Sequence, residues 1–88
     1  MTLVMINGKI VDSAEAKVSV WDRGLYFGDG VYEVVQAYAG KLWGFNQHLR
    51  RFERSLREIE ILNVDLKQVE AWVRDAFAAA GKPESVVY

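Results

Sequence analysis

Three glycines fall within the seven residues from Gly24 to Gly30, and the run after them, Val31-Tyr32-Glu33-Val34-Val35-Gln36-Ala37-Tyr38, is rich in β-branched and aromatic side chains. Glycine admits backbone angles that other residues resist, so the first stretch predicts tight, irregular backbone and the second a strand. Side chains alternate along a strand, which sets Tyr32, Val34, Gln36 and Tyr38 on one face and Glu33, Val35 and Ala37 on the other. A turn feeding such a strand is suited to presenting a polar aromatic ring to a ligand.

The flanking segments extend this pattern to the rest of the chain. Leu3 to Ile6 and Lys9 to Val11 are β-prone runs joined by Asn7-Gly8, the pair that best tolerates a type I′ turn, and Val18-Ser19-Val20 adds a short extended piece. Ala39-Gly40 turns the chain from the Val31–Tyr38 strand into Lys41-Leu42-Trp43-Gly44-Phe45, so four strands of antiparallel character are expected. Asn46 suits a helix N-cap, and Leu49, Phe52, Leu56 and Ile59 recur at helical spacing beyond it. Asp65, with Gln68 three residues on, resembles a capping box; Val69, Trp72, Val73, Ala76, Phe77 and Ala80 form a second stripe, ended by Gly81 and Pro83. Glu84 to Tyr88 is again extended. The expectation is one small α+β domain over residues 1–88, an antiparallel sheet with two helices on one side, cut from a longer two-domain protein.

Charge and composition exclude several classes of function. Eleven basic residues against twelve acidic ones give a net charge of −1, so no bulk field draws nucleic acid or anionic lipid, and any anion site must be local. The absence of cysteine removes disulfides and thiolate metal sites and fits a reducing cytoplasm. The lone histidine, His48, cannot build a metal site by itself. The apolar opening Leu3-Val4-Met5-Ile6 is too short for a signal peptide, and no run is long enough to span a membrane. Gly28-Asp29-Gly30 has no Gly-Lys-Ser/Thr ending, which makes it a turn element rather than a nucleotide loop.

Arg51 is the sharpest candidate for chemistry. By helical phase it lies off the apolar stripe and within the first turns of its helix, where a guanidinium and free backbone N–H groups can face an anion. The bland reading is that Arg50, Arg51, Arg54 and Arg57 form a solvated helix back paired with Glu53 and Glu58. Tyr32 is second, offering a ring for a pocket wall and a hydroxyl for a ligand carboxylate, against the bland reading of a half-buried strand tyrosine. Glu33 points away from Tyr32 and is expected to partner a neighbouring arginine or a subunit contact.

The segment Gly28-Asp29-Gly30-Val31-Tyr32-Glu33-Val34-Val35, followed by His48-Leu49-Arg50-Arg51 at a helix start, resembles the small N-terminal domain of class IV pyridoxal-phosphate-dependent aminotransferases, D-amino acid aminotransferases above all. The resemblance implies that Arg51 binds the phosphate of pyridoxal 5′-phosphate, that Tyr32 lies at the substrate and cofactor pocket, and that Val34 lines its side-chain end. It implies amino acid and 2-oxo acid substrates and a cytoplasmic homodimer. The lysine that holds the cofactor lies, in that family, in the larger C-terminal domain beyond Tyr88, so the chain carries no catalytic residue of its own and is expected to be inactive alone. Branched-chain aminotransferases and aminodeoxychorismate lyases share this plan and stay open. A non-enzymatic binding or dimerisation domain pairing through an exposed sheet edge at Val86 to Tyr88 stays open too. Uncovered apolar surface on such a piece is expected to drive self-association.

Overall fold

The computed structural model describes residues 2–88 and has an α+β architecture of antiparallel strands and three α-helices. Strands β1 (Val4–Ile6) and β2 (Lys9–Val11) form a hairpin with Met5 opposite Ile10. Its turn residues, Asn7 and Gly8, both have positive φ, as a type I′ turn requires. Gly8 is needed for a second reason: a Cβ built there would stand 2.7 Å from the indole of Trp72, so the hairpin docks through a bare backbone.

A one-turn 3₁₀ helix, Ser13–Glu15, leads to a connection in which Val18-Ser19-Val20 forms no strand. Where irregular backbone is expected, the structure instead has a short helix, α1 (Arg23–Phe27). The Asp22 carboxylate caps it by accepting from the Gly24 N–H at 2.8 Å, and Gly28 ends it in the left-handed conformation. The capping aspartate and terminating glycine are helix signals that the glycine density masks.

The second sheet has the order β4-β3-β5, so the strands divide into two sheets rather than one. Strand β3 covers Val35–Tyr38 and pairs antiparallel with β4 (Lys41–Leu42) and with β5 (Ser85–Val87). The expected strand from Val31 is shorter because its register sets Val35 opposite Val87, and residues before it find no ladder partner among those described. The alternation nevertheless persists: Val31, Glu33, Val35 and Ala37 are at least half-buried while Tyr32, Val34 and Tyr38 are exposed.

Helix α2 (Phe45–Glu58) begins two residues earlier than expected, with Gly44 rather than Asn46 as its N-cap. The left-handed Gly44 bends the chain sharply after Leu42, so β4 stops short of Trp43 and Phe45 drops into the core at the helix start. Burial of that ring outweighs the side-chain cap Asn46 could have made. Ile59 lies past the helix end and is exposed. Helix α3 (Leu66–Ala80) follows the expected caps, with Asp65 accepting from the N–H groups of Lys67 and Gln68 and Gly81 closing it in the left-handed conformation. No helix among the described residues is long and apolar enough to cross a membrane.

Among the described residues the buried apolar core is small: Val35, Ala37, Phe45 and Leu56, where the inner face of β3 meets α2. Outside it, Trp21, Tyr26, Phe27, Tyr32, Trp43 and Tyr88 all expose more than half their surface. The Gly8 contact gives a direct check on how the N-terminal hairpin is held. Gly8→Ala combines a left-handed alanine with an indole clash and should lower unfolding stability by roughly 2 kcal/mol, measured as a shift in urea midpoint. An unchanged midpoint would mean that the hairpin is not seated on Trp72.

Candidate functional site

Glu33 sits on the inward side of the segment that leads into β3, two residues before the buried Val35, so its carboxylate is carried toward α2 rather than into water. Helix α2 answers with two donors one turn apart, His48 and Arg51, which the i, i+3 spacing places on the same helix face. Arg51 grips the carboxylate side-on: Nε donates to Oε2 and Nη2 to Oε1, each at 2.7 Å. His48 Nδ1 meets Oε1 at 2.5 Å.

The hydrogen bonds from Arg51 hold the Glu33 carboxyl down from its ordinary value near 4.5 to about 2; partial burial pushes upward, and the contact with His48 assists the lowering. The same pairing raises the Arg51 guanidinium further above its already high value. Glu33 is therefore an ionised, acceptor-only group at neutral pH, and the hydrogen it shares with His48 is carried by the imidazole Nδ1. The side-chain exposures run in sequence: Glu33 12%, His48 25%, Arg51 57%. The carboxylate is the anchored member, and the guanidinium is the one that reaches outward.

Beside this cluster lies an apolar groove of about 300 Å³ whose lining includes Tyr32, Glu33, His48, Phe52, Val73 and Tyr88. The Tyr32 ring stacks on Tyr88 with centroids 5.5 Å apart. The hydroxyl of Tyr32 has no hydrogen-bond partner among the described residues, which leaves it available to a ligand. Because the chain has left the regular ladder here, Tyr32 and Glu33 both border the groove although their side chains leave opposite sides of the segment.

No protein-family model matches the chain. Curated proteins do. A D-alanine aminotransferase from Staphylococcus haemolyticus is 54% identical over 61 residues, 69% of this chain and 22% of that enzyme. One from Staphylococcus epidermidis is 48% identical over 75 residues, 84% of this chain and 27% of that enzyme. One from Listeria innocua is 44% identical over 59 residues, 67% of this chain and 20% of that enzyme. The chain belongs to the D-amino acid aminotransferase family. It spans about a quarter of the length of the curated relatives it matches.

Of the residues singled out from the family resemblance, Arg51 is tied into the Glu33–His48 cluster and Tyr32 borders the groove, whereas Val34 is 41% exposed and lies outside the groove lining. The solvated-helix reading holds for Arg57, which pairs with Glu53 at 3.0 Å, and fails for Arg51. Glu33 does partner an arginine, as its strand phase suggested. The link from His48 to that carboxylate is a contact that the sequence motifs do not carry; the signal for it is an inward-facing acid opposite two donors one helical turn apart.

The pH consequence follows from the direction of the Glu33 shift. A carboxyl lowered in the folded state stabilises the fold fully above its unfolded value and loses that contribution as pH falls through its folded value. The wild-type chain should therefore lose stability between about pH 4.5 and 2 more steeply than Glu33→Gln, read from urea midpoints across that window. Parallel pH profiles for the two proteins would show that the pairing contributes nothing.

Proposed function

We propose that this chain forms the small domain of a pyridoxal-phosphate-dependent transaminase that moves the amino group of a D-amino acid to a 2-oxo acid. The observation that carries the reading is the Arg51 guanidinium, held side-on by Glu33, whose own side chain lines the groove that Tyr32 borders, with the remaining Arg51 N–H groups uncommitted among the described residues. The D-alanine aminotransferases to which the chain is similar support a D-amino acid substrate over the branched-chain and lyase alternatives.

The residues present fit a phosphate monoester. A guanidinium that has given Nε and one Nη2 hydrogen to Glu33 still offers its Nη1 edge as a forked donor, and its 57% exposure leaves that edge open. Pyridoxal phosphate, when bound, supplies the electron sink for removal of the α-proton. Arg51 holds the phosphate end. Tyr32 contributes its ring as a wall and its hydroxyl as a contact for cofactor and substrate, and Val34 shapes the substrate side from the same face as Tyr32. The Tyr32 ring stacks on Tyr88, and both rings border the groove.

The lysine that this chemistry requires is supplied from outside these residues, so the 88-residue chain alone does not transaminate. The working enzyme is a cytoplasmic homodimer, in keeping with the cysteine-free composition and the family resemblance. In the full-length protein, Arg51→Ala should weaken cofactor affinity by about 1.5–3 kcal/mol, measured by absorbance titration of the apoprotein with pyridoxal phosphate. The same protein should turn over D-alanine with 2-oxoglutarate in preference to L-leucine. Unchanged cofactor affinity in the variant, or preference for L-leucine, would contradict the reading.

A further inference from the structure

We propose that Glu33 is a positioning residue for phosphate capture: it clamps the Nε–Nη2 edge of Arg51, with His48 bracing the carboxylate, so that the Nη1 edge is aimed at the phosphate. This inference rests on the reading of Arg51 given above and adds a role for two residues that do not themselves touch the anion.

Three observations lead to it. First, the clamp is bidentate, with both bonds at 2.7 Å, which fixes the plane of the guanidinium as well as its distance. Second, the partners differ in anchorage. Glu33 is short, 12% exposed and rooted beside the buried β3, whereas Arg51 is a long side chain 57% exposed on the helix surface. The carboxylate thus sets the position and the guanidinium adopts it. Third, His48 Nδ1 binds Oε1, the oxygen that also receives Arg51 Nη2, so the carboxylate has a further donor opposing its rotation. A free arginine side chain loses rotamer entropy on seizing an anion, and a clamped one has largely lost it beforehand.

Charge alone predicts the opposite outcome. Glu33 carries a negative charge next to the place where a phosphate binds, so by charge alone its removal should tighten binding. If Glu33 acts by aiming Arg51, its removal weakens binding. Glutamine at this position cannot reproduce the clamp, because its amide oxygen accepts but its NH₂ group faces donors from Arg51 or His48.

The test is a double-mutant cycle in the full-length protein, titrating the apo form with pyridoxal phosphate and recording the thermal melt of each apoprotein. Glu33→Gln should raise the dissociation constant on the order of tenfold, and in an Arg51→Ala background the same change should alter it by less than about twofold. Arg51→Lys keeps the charge but cannot both meet Glu33 and present a fork, so it should bind nearly as weakly as Arg51→Ala; this variant leaves Glu33 in place and decides the matter if Glu33→Gln fails to fold. Equal or tighter binding by Glu33→Gln, near-normal binding by Arg51→Lys, or a Glu33→Gln effect that persists without Arg51 would each overturn the proposal. Loss of affinity in Arg51→Ala with none in Glu33→Gln would sink this inference alone. No loss in Arg51→Ala would sink the phosphate reading beneath it.

Discussion

An acidic side chain delivered to the inner side of a strand must be met by donors or it destabilises the fold, and in this protein Glu33 is met twice. That pairing joins the segment after the glycine turn to the first two turns of α2 through contacts 15 and 18 residues apart in sequence. Glu33 thereby does for the site what Val35 and Ala37 do for the core two and four residues further along the same face. The helix is held against the sheet by apolar packing at Phe45 and Leu56, and its polar edge is registered by one carboxylate. Arg51 then reaches outward from a defined origin. The groove beside Glu33 and His48, with Tyr32 and Tyr88 stacked at its border, lies at the same junction of segment and helix.

Apolar surface is unevenly distributed between interior and exterior. Among the described residues four buried apolar side chains make a narrow core, whereas Tyr38 and Val86 on the outer face of the β4-β3-β5 sheet, and Tyr32 and Val34 in the segment that leads into it, are exposed. The short α1 adds Leu25, Tyr26 and Phe27, the last beneath the Arg23 guanidinium, which Asp29 holds at 2.7 Å. The exposed rings cluster in separate groups, Trp21 with Tyr26 and Phe27, Tyr32 with Tyr88, and Tyr38 with Trp43.

Local signals in the sequence were legible where one or two residues decide the backbone. Asn7-Gly8 specifies its turn, Asp65 and Gly81 bound α3, and the alternation from Val31 to Tyr38 separates the inward acid from the outward tyrosine. What stayed hidden depends on partners distant in the chain. Val31 to Val34 look like strand but lie beyond the ladder formed with β5. Gly44 displaced Asn46 as the cap of α2 because Phe45 is drawn into a core assembled from β3 and α2. Helical phase correctly took Arg51 off the apolar stripe, but no periodicity could show that it and His48 share one acceptor on a neighbouring segment. The family resemblance supplied roles for Arg51 and Tyr32; the geometry supplied the reason the arginine has a fixed direction.

The most direct measurement of this account is the nitrogen-15 NMR signal of the Arg51 Nε–H in the chain at neutral pH. A guanidinium clamped by an ionised carboxylate should give a shifted, slowly exchanging Nε–H resonance that disappears in Glu33→Gln while the backbone spectrum stays folded. A rapidly exchanging Arg51 signal, the same in the wild type and in Glu33→Gln, would show that the arginine is not held and would contradict the central claim.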